Sequence, residues 1–419
     1  MILLRTYKAF TKEPYYYGAL AYAFLIPFFQ LAATIAMGLW LGLSFLGYRR
    51  TNNNKKSLLL LFPALFVSYL VGMLWFHEVS YTIMEHKLSL LVFPLIFYLH
   101  SYNGHQKRNI LRLFVLGLCF SLIICFGIAL YRSISLYGGS FHFAANVLAD
   151  RDFFESILYG GNYFFGQQFS IFHQTVYFAL YLSTGVALLL FCRIGISERY
   201  KLLLIAFFVI AAFLISNKAG LVSLALIFPL KLIVARYSLI RKLVLSLSFL
   251  AGLVIIGLAN PRMLGSIKKL AKGELEIDKE ARYDFKTRLL SWDAAIDLIG
   301  QSPILGYGAA NTQNELDRVY EQKEYVFPLK NRNNAHNQFL QIWLENGLLG
   351  LVLFLSVFMG LIITAREGGA NIMLISAMVV LFFLNALFES YLNRFSGISY
   401  FTCVCCFIFS GHKEGRAVY

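Results

Sequence analysis

The sequence predicts an all-α polytopic membrane protein of about twelve transmembrane helices, with a long, partly helical loop on one side. Three observations predict it. Only 14% of the 419 residues are charged, against about 25% in an ordinary soluble domain. Apolar runs long enough to cross a hydrocarbon core of about 30 Å recur along almost the whole chain. Clusters of Lys and Arg fall at alternate ends of those runs, as they do when cytoplasmic loops collect positive charge.

Taken in order, residues 1–14 carry Arg5, Lys8 and Lys12, and no small-residue cleavage site follows. The stretch 15–48 is too long for one helix and is divided near Pro27 and Gln30. Spans follow at 58–76, 88–102, 113–131 and 173–192. A hairpin of 202–216 and 218–235 turns at Ser216-Asn217-Lys218. The remaining spans are 243–259, 337–364, 371–391 and 396–411. A short loop holds His77, Glu78, Glu85, His86 and Lys87, with Glu85 and Lys87 read as an interfacial pair.

Two larger loops, 132–172 and 260–336, separate these groups, dividing the chain into 1–259, 260–336 and 337–419. With the N-terminus inside, the basic clusters at 5–12, 49–56, 107–112, 193–201, 236–242 and 413–416 all fall on the cytoplasmic side. Both termini are then cytoplasmic and both larger loops face outward, which in a bacterium is the periplasm. Within the second loop, residues 285, 289, 292, 296 and 299 recur at helical spacing. Gly300-Gln301-Ser302-Pro303 ends that helix, and Gly306-Tyr307-Gly308 reads as a flexible loop.

The net charge of +15 is read mainly as topology; the alternative is an anionic ligand. A nucleic-acid partner has no basic soluble domain to carry it. The six cysteines lie in apolar runs without zinc or thioredoxin spacing and read as packing residues. Asp150-Arg151-Asp152 has the form of a two-carboxylate metal clamp, but an acidic surface turn is the favoured reading. Neither a metal nor another cofactor is expected.

Polar groups at the ends of membrane spans are costly unless used. Those at the outer ends are His173, Lys218, Arg288, His336 with Asn337, Glu389 and Arg394. Each of the main candidates has a plainer alternative. His336 caps or anchors its span, Lys218 snorkels to the interface, and Arg288 pairs with Asp284 or Asp293 on its own helix. Together, however, they make a cation-rich outer cavity with one or two imidazoles. Transfer from a lipid diphosphate needs such a cavity. The leaving group gains negative charge as the glycosidic bond breaks, and preorganised Arg or Lys stabilises it. The acceptor hydroxyl must lose a proton, a task suited to His with its unperturbed pKa of about 6.5.

Three segments resemble the O-antigen ligase and polymerase superfamily. Residues 287–308 contain Thr-Arg-Leu-Leu-Ser-Trp and then Ser-Pro-Ile-Leu-Gly-Tyr-Gly. Residues 336–350 read His-Asn-Gln-Phe-Leu-Gln-Ile-Trp-Leu-Glu-Asn-Gly-Leu-Leu-Gly. Residues 215–221, Ile-Ser-Asn-Lys-Ala-Gly-Leu, stand where the family usually has Ser-Arg-x-Gly. The resemblance is strongest over about 210–395. It implies a GT-C-like glycosyltransferase architecture in a bacterial inner membrane. The enzyme implied moves glycan from undecaprenyl diphosphate to a lipid A-core or other lipid or glycan acceptor, without a metal and with inversion. By position, His336 is then the base or acceptor-orienting residue and Arg288 contacts the diphosphate. Lys218 replaces a family Arg, keeping a point charge but losing the bidentate fork. His173, Asn337, Glu389 and Arg394 are further substrate-binding candidates, of which His173 and Glu389 rest on placement alone. A ligase is the leading expectation. A polymerase using the same donor is the alternative, and a transporter or flippase for an anionic lipid or sugar is the rival of another class.

Overall fold

A computed structural model describes residues 13–46, 57–137, 140–147, 153–234, 238–259, 279, 285–367 and 372–411. The expected basic clusters at 5–12, 49–56 and 413–416 lie outside the described residues. So do Asp150-Arg151-Asp152, Asp284 and nearly all of 260–284.

The chain is a helical bundle. Helices α1 (Pro14–Leu25) and α2 (Gln30–Leu46) pack as a pair, divided where Pro27 and Gln30 predict. A short 3-10 turn leads into α3 (Leu61–Trp75), followed by α4 (Tyr81–Lys87) and α5 (Ser89–Leu99). The long α6 (Gly104–Ser133) comes next. Asn103 and Gln106 cap its start reciprocally, satisfying two otherwise orphan amides. At its far end the chain forms a small antiparallel hairpin, β1 (Ile134–Tyr137) and β2 (Ser140–Phe143), with Ile134 opposite Phe143. Two short helices, α7 (Phe153–Tyr159) and α8 (Gly166–Phe169), precede α9 (Thr175–Phe191), which is buried along almost its whole length.

Around α9 pack α10 (Glu198–Ile215), α11 (Lys218–Val234) and a late helix, α17 (Ile372–Phe388). Helix α12 (Leu239–Ala259) leans on α11. The second large loop folds as α13 (Phe285–Gln301), α14 (Thr312–Gln322) and α15 (Val326–Lys330), before α16 (Gln338–Arg366). The chain closes with a 3-10 turn (Tyr391–Asn393) and α18 (Phe395–Phe409).

Among the described residues, four stretches are long and apolar enough to cross a bilayer: Ser57–Trp75, Tyr81–Leu99, Gly104–Ser133 and Gln338–Arg366. Four shorter apolar helices, Gln30–Leu46, Thr175–Phe191, Ile372–Phe388 and Phe395–Phe409, pack among them. The fold is therefore an all-α membrane protein built from long and short helices. Its expected count of about twelve spans is replaced by this coarser description.

Two apolar cores follow from the topology. The large one runs through the bundle. The small one joins Leu290, Ala294, Leu298, Leu316, Val319 and Tyr320 to Leu344, and so builds a cap from α13–α15 on the first turns of α16.

Two local expectations, for Glu85–Lys87 and for Gly306–Gly308, are corrected. Glu85, His86 and Lys87 belong to α4 rather than to a loop, so Lys87 is carried into the bundle, away from any interfacial pairing with Glu85. Helix α13 forms where the spacing predicts, and its buried face runs through Leu290, Ser291, Ala294, Ala295, Leu298 and Ile299, while Ile296 is 59% exposed.

The Gly306-Tyr307-Gly308 segment is firmly held, not flexible. Helix α16 is broken at Gly347 (φ 62, ψ -160). The Leu344 carbonyl, which would accept from Leu348 in an unbroken helix, accepts from Tyr307 N at 2.7 Å. Leu348 N donates instead to the Ile304 carbonyl at 3.1 Å. The loop thus enters the break and satisfies both groups the break releases. A Cβ at Gly347 would lie 1.9 Å from the Ile304 oxygen, so both the left-handed φ and the close approach require glycine.

Candidate active site

The common end of α9, α11 and α17 opens into a cavity of about 250 Å³ beside the cap. Lys218, Arg288 and Glu389 line it, with Ser216, Asn217, Ala219, Val176, Val222 and Phe388. Four separated parts of the chain therefore meet at one void.

The tip between α10 and α11 supplies Lys218. Ser216 adopts a left-handed conformation (φ 55) that reverses the chain. Asn217 Oδ1 then accepts from Gly220 N at 2.8 Å, which caps the first turn of α11. Lys218 is the first residue of that helix, so a cation and a helix N-terminus address the same space.

Arg288 comes from the first turn of α13, and its Nε is buried without a hydrogen-bond partner. The alternative partner Asp293 is engaged elsewhere, accepting from Lys323 Nζ at 2.5 Å and Tyr325 hydroxyl at 2.7 Å. Lys323 also pairs with Asp297.

Glu389 follows the last residue of α17. Its Oε1 lies 3.5 Å from His336 Nδ1, with the His336 side chain 28% exposed. Burial alone would raise the Glu389 carboxyl. The His336 contact and the Arg288 charge outweigh it and hold the group below its ordinary value, which keeps it ionised at neutral pH.

His336 does not cap its helix. That role falls to Asn337, whose Oδ1 accepts from Phe339 N at 2.9 Å and Leu340 N at 3.2 Å. Freed from capping, His336 sits at φ 45, an uncommon conformation for a residue with a side chain.

Residues 202–355 match the family model described as O-antigen ligase. These residues form an O-antigen ligase domain. No curated protein matches the chain. The ligase domain holds Lys218, Arg288, His336 and Asn337, whereas Glu389 reaches the site from beyond it. Over these residues the chain is similar to a family of glycosyltransferase-like enzymes, and they sit within a helical membrane protein.

The remaining candidates stand apart from the cavity lining. His173 is buried, with Nδ1 3.1 Å from Ser396 Oγ and its ring edge-on to Tyr181. Arg394 is exposed at the start of α18. Asn337 is committed to its cap. Sequence reasoning missed Asn217 as the cap that presents Lys218. It also missed Gln338, Gln341 and Glu345, although their three- and four-residue spacing places them on one face of α16.

Proposed function

We propose that the ligase domain transfers a glycan from undecaprenyl diphosphate to an acceptor hydroxyl at the capped end, on the periplasmic side of a bacterial inner membrane. The observation that carries this reading is the convergence of Lys218, Arg288 and the His336–Glu389 pair on one cavity.

In this reading the diphosphate lies between Lys218, Arg288 and the α11 N-terminus. Arg288 offers its unpartnered Nε, and the low dielectric of a half-buried site strengthens each charge contact. The acceptor oxygen attacks the anomeric carbon from the opposite face. A C–O bond forms there as the bond to the phosphate oxygen breaks, and its electron pair leaves with the diphosphate. The acceptor proton passes to His336 Nε2. Glu389, facing Nδ1, orients the ring and stabilises the imidazolium that forms. One displacement inverts the anomeric centre, and no step calls on a metal. With a lipid-borne core as acceptor the enzyme is a ligase, and with a second donor-linked glycan it is a polymerase.

The test is incubation of purified protein with undecaprenyl diphosphate-linked glycan and candidate acceptors. Transfer to a lipid core supports ligase action. Elongation of the donor chain would replace it with polymerase action. Absence of any covalent product would overturn transfer in favour of transport. Full transfer by His336→Ala protein would remove the proposed base.

A further inference from the structure

Beneath the site, polar side chains that the transfer chemistry does not touch form a continuous chain of contacts. Lys87 on α4 is 2% exposed. Its Nζ donates to the Leu392 carbonyl at 2.9 Å and to Asn393 Oδ1 at 3.2 Å. It also lies 3.9 Å from Glu345 Oε2 and 4.3 Å from the centre of the Tyr69 ring. Glu345 Oε1 accepts from Gln341 Nε2 at 2.7 Å. Gln341 Oε1 accepts from Ala335 N at 3.0 Å, and Gln338 Oε1 accepts from Leu392 N at 2.7 Å.

The chain of contacts therefore runs from Ala335 through Gln341, Glu345 and Lys87 to Leu392, and returns through Gln338. Its two ends are the two segments that carry the catalytic pair. His336 lies between Ala335 and Gln338. Glu389 lies three residues before Leu392, in the turn that Lys87 and Gln338 both hold. Apolar side chains of similar volume often serve stability as well as a buried ion pair does, so this pair calls for another account. His336 also needs holding, because its backbone occupies a left-handed conformation.

We propose that Lys87, Glu345, Gln341 and Gln338 are positioning residues that set the separation and orientation of His336 and Glu389. This rests on the reading of His336 as the base. None of these four residues lines the cavity or is assigned to the diphosphate. Its disruption should therefore act on turnover more than on donor binding.

The test compares wild type, Lys87→Met, Gln341→Leu and His336→Ala as full-length protein in detergent, supplied with undecaprenyl diphosphate-linked glycan and a lipid-core acceptor. Folded protein is quantified by size-exclusion chromatography and thermal unfolding, and kcat is expressed per folded molecule. Lys87→Met is expected to lower kcat by about 10- to 100-fold, the scale of a small misplacement of reacting groups. Donor KM should stay within about threefold. Should Lys87→Met fail to fold, Gln341→Leu reads the same linkage without stripping a buried cation, and the same split is expected with a smaller loss. Wild-type kcat per folded molecule in the network variants, beside an inactive His336→Ala, would overturn the positioning role and leave the transfer mechanism standing. An equal rise in donor KM with unchanged kcat would also overturn it. An active His336→Ala would overturn both.

Discussion

The molecule holds two buried groups of charge at the same end of the bundle, and they are built oppositely. Around Lys87 each charge meets a partner: the ammonium reaches a carbonyl, an amide oxygen and the Glu345 carboxylate, and Glu345 is braced by Gln341. Around the cavity, Lys218, Arg288 and Glu389 line open volume, and Arg288 keeps a buried nitrogen without a partner. The Lys87 cluster is closed: Glu345 Oε2 and Gln338 Nε2 lack hydrogen-bond partners, but its charges face one another, and it holds segments in place. An unpartnered donor beside a void is equipped to receive an anion, because a desolvated donor is costly until a ligand pairs with it. The difference teaches that burial of charge alone does not mark a site; what matters is where incomplete pairing faces open volume.

That contrast can be broken in graded steps. The largest effect is expected for His336→Ala, with transfer lowered by about 10²- to 10⁴-fold, the usual share of a general base, while membrane insertion is unchanged. Quantifying product against protein in the membrane fraction checks it. Arg288→Ala should lower transfer by about 10²- to 10³-fold. Wild-type rates in that variant would show that the unpartnered nitrogen is not waiting for phosphate.

A smaller effect is expected for Lys218→Arg. This change adds the bidentate fork that a Lys lacks, and if the site binds phosphate, activity should be retained or improved, within about tenfold either way. Complete loss would assign Lys218 a role other than phosphate binding.

The smallest effect belongs to the cap surface. Burial would raise the Asp293 carboxyl, but hydrogen bonds from Lys323 and Tyr325 outweigh this and hold it below its ordinary value. A depressed folded pKa contributes stability above the unfolded value near 3.9 and loses it as pH falls through the folded one. Asp293→Asn should therefore cost about 1 kcal/mol or less at neutral pH, and the gap in thermal unfolding should close on acidification through that range.

Much of this was legible in sequence for identifiable reasons. Membrane helices announce themselves by length and apolarity. The hairpin at Ser216-Asn217-Lys218 showed because three polar residues interrupt two apolar runs. Lys218, Arg288 and Glu389 were separable from topological charge because they fall at one end of their helices. The α13 helix was legible from its spacing, but not which face it buries, because its packing also uses Ser291, Ala294 and Ala295, whose small size carries little periodic signal. Lys87 was misread because its partners lie on α16 and in the turn at 391–393, more than 250 residues away in sequence. Long-range pairing of that kind leaves no local pattern.

The break at Gly347 has a practical consequence for building hybrids. On the first turns of α16, Leu340, Trp343 and Leu344 face the cap core while Phe339 and Ile342 pack in the bundle, and the later turns pack in the bundle alone. The exchanged hydrogen bonds between Ile304–Tyr307 and Leu344–Leu348 are the seam between them. A graft that imported a foreign cap by cutting at either stretch alone would leave one half of the seam facing an unfamiliar backbone. Crossover points placed before Phe285 and after Leu348 would carry both halves together, and with them His336 in its native setting.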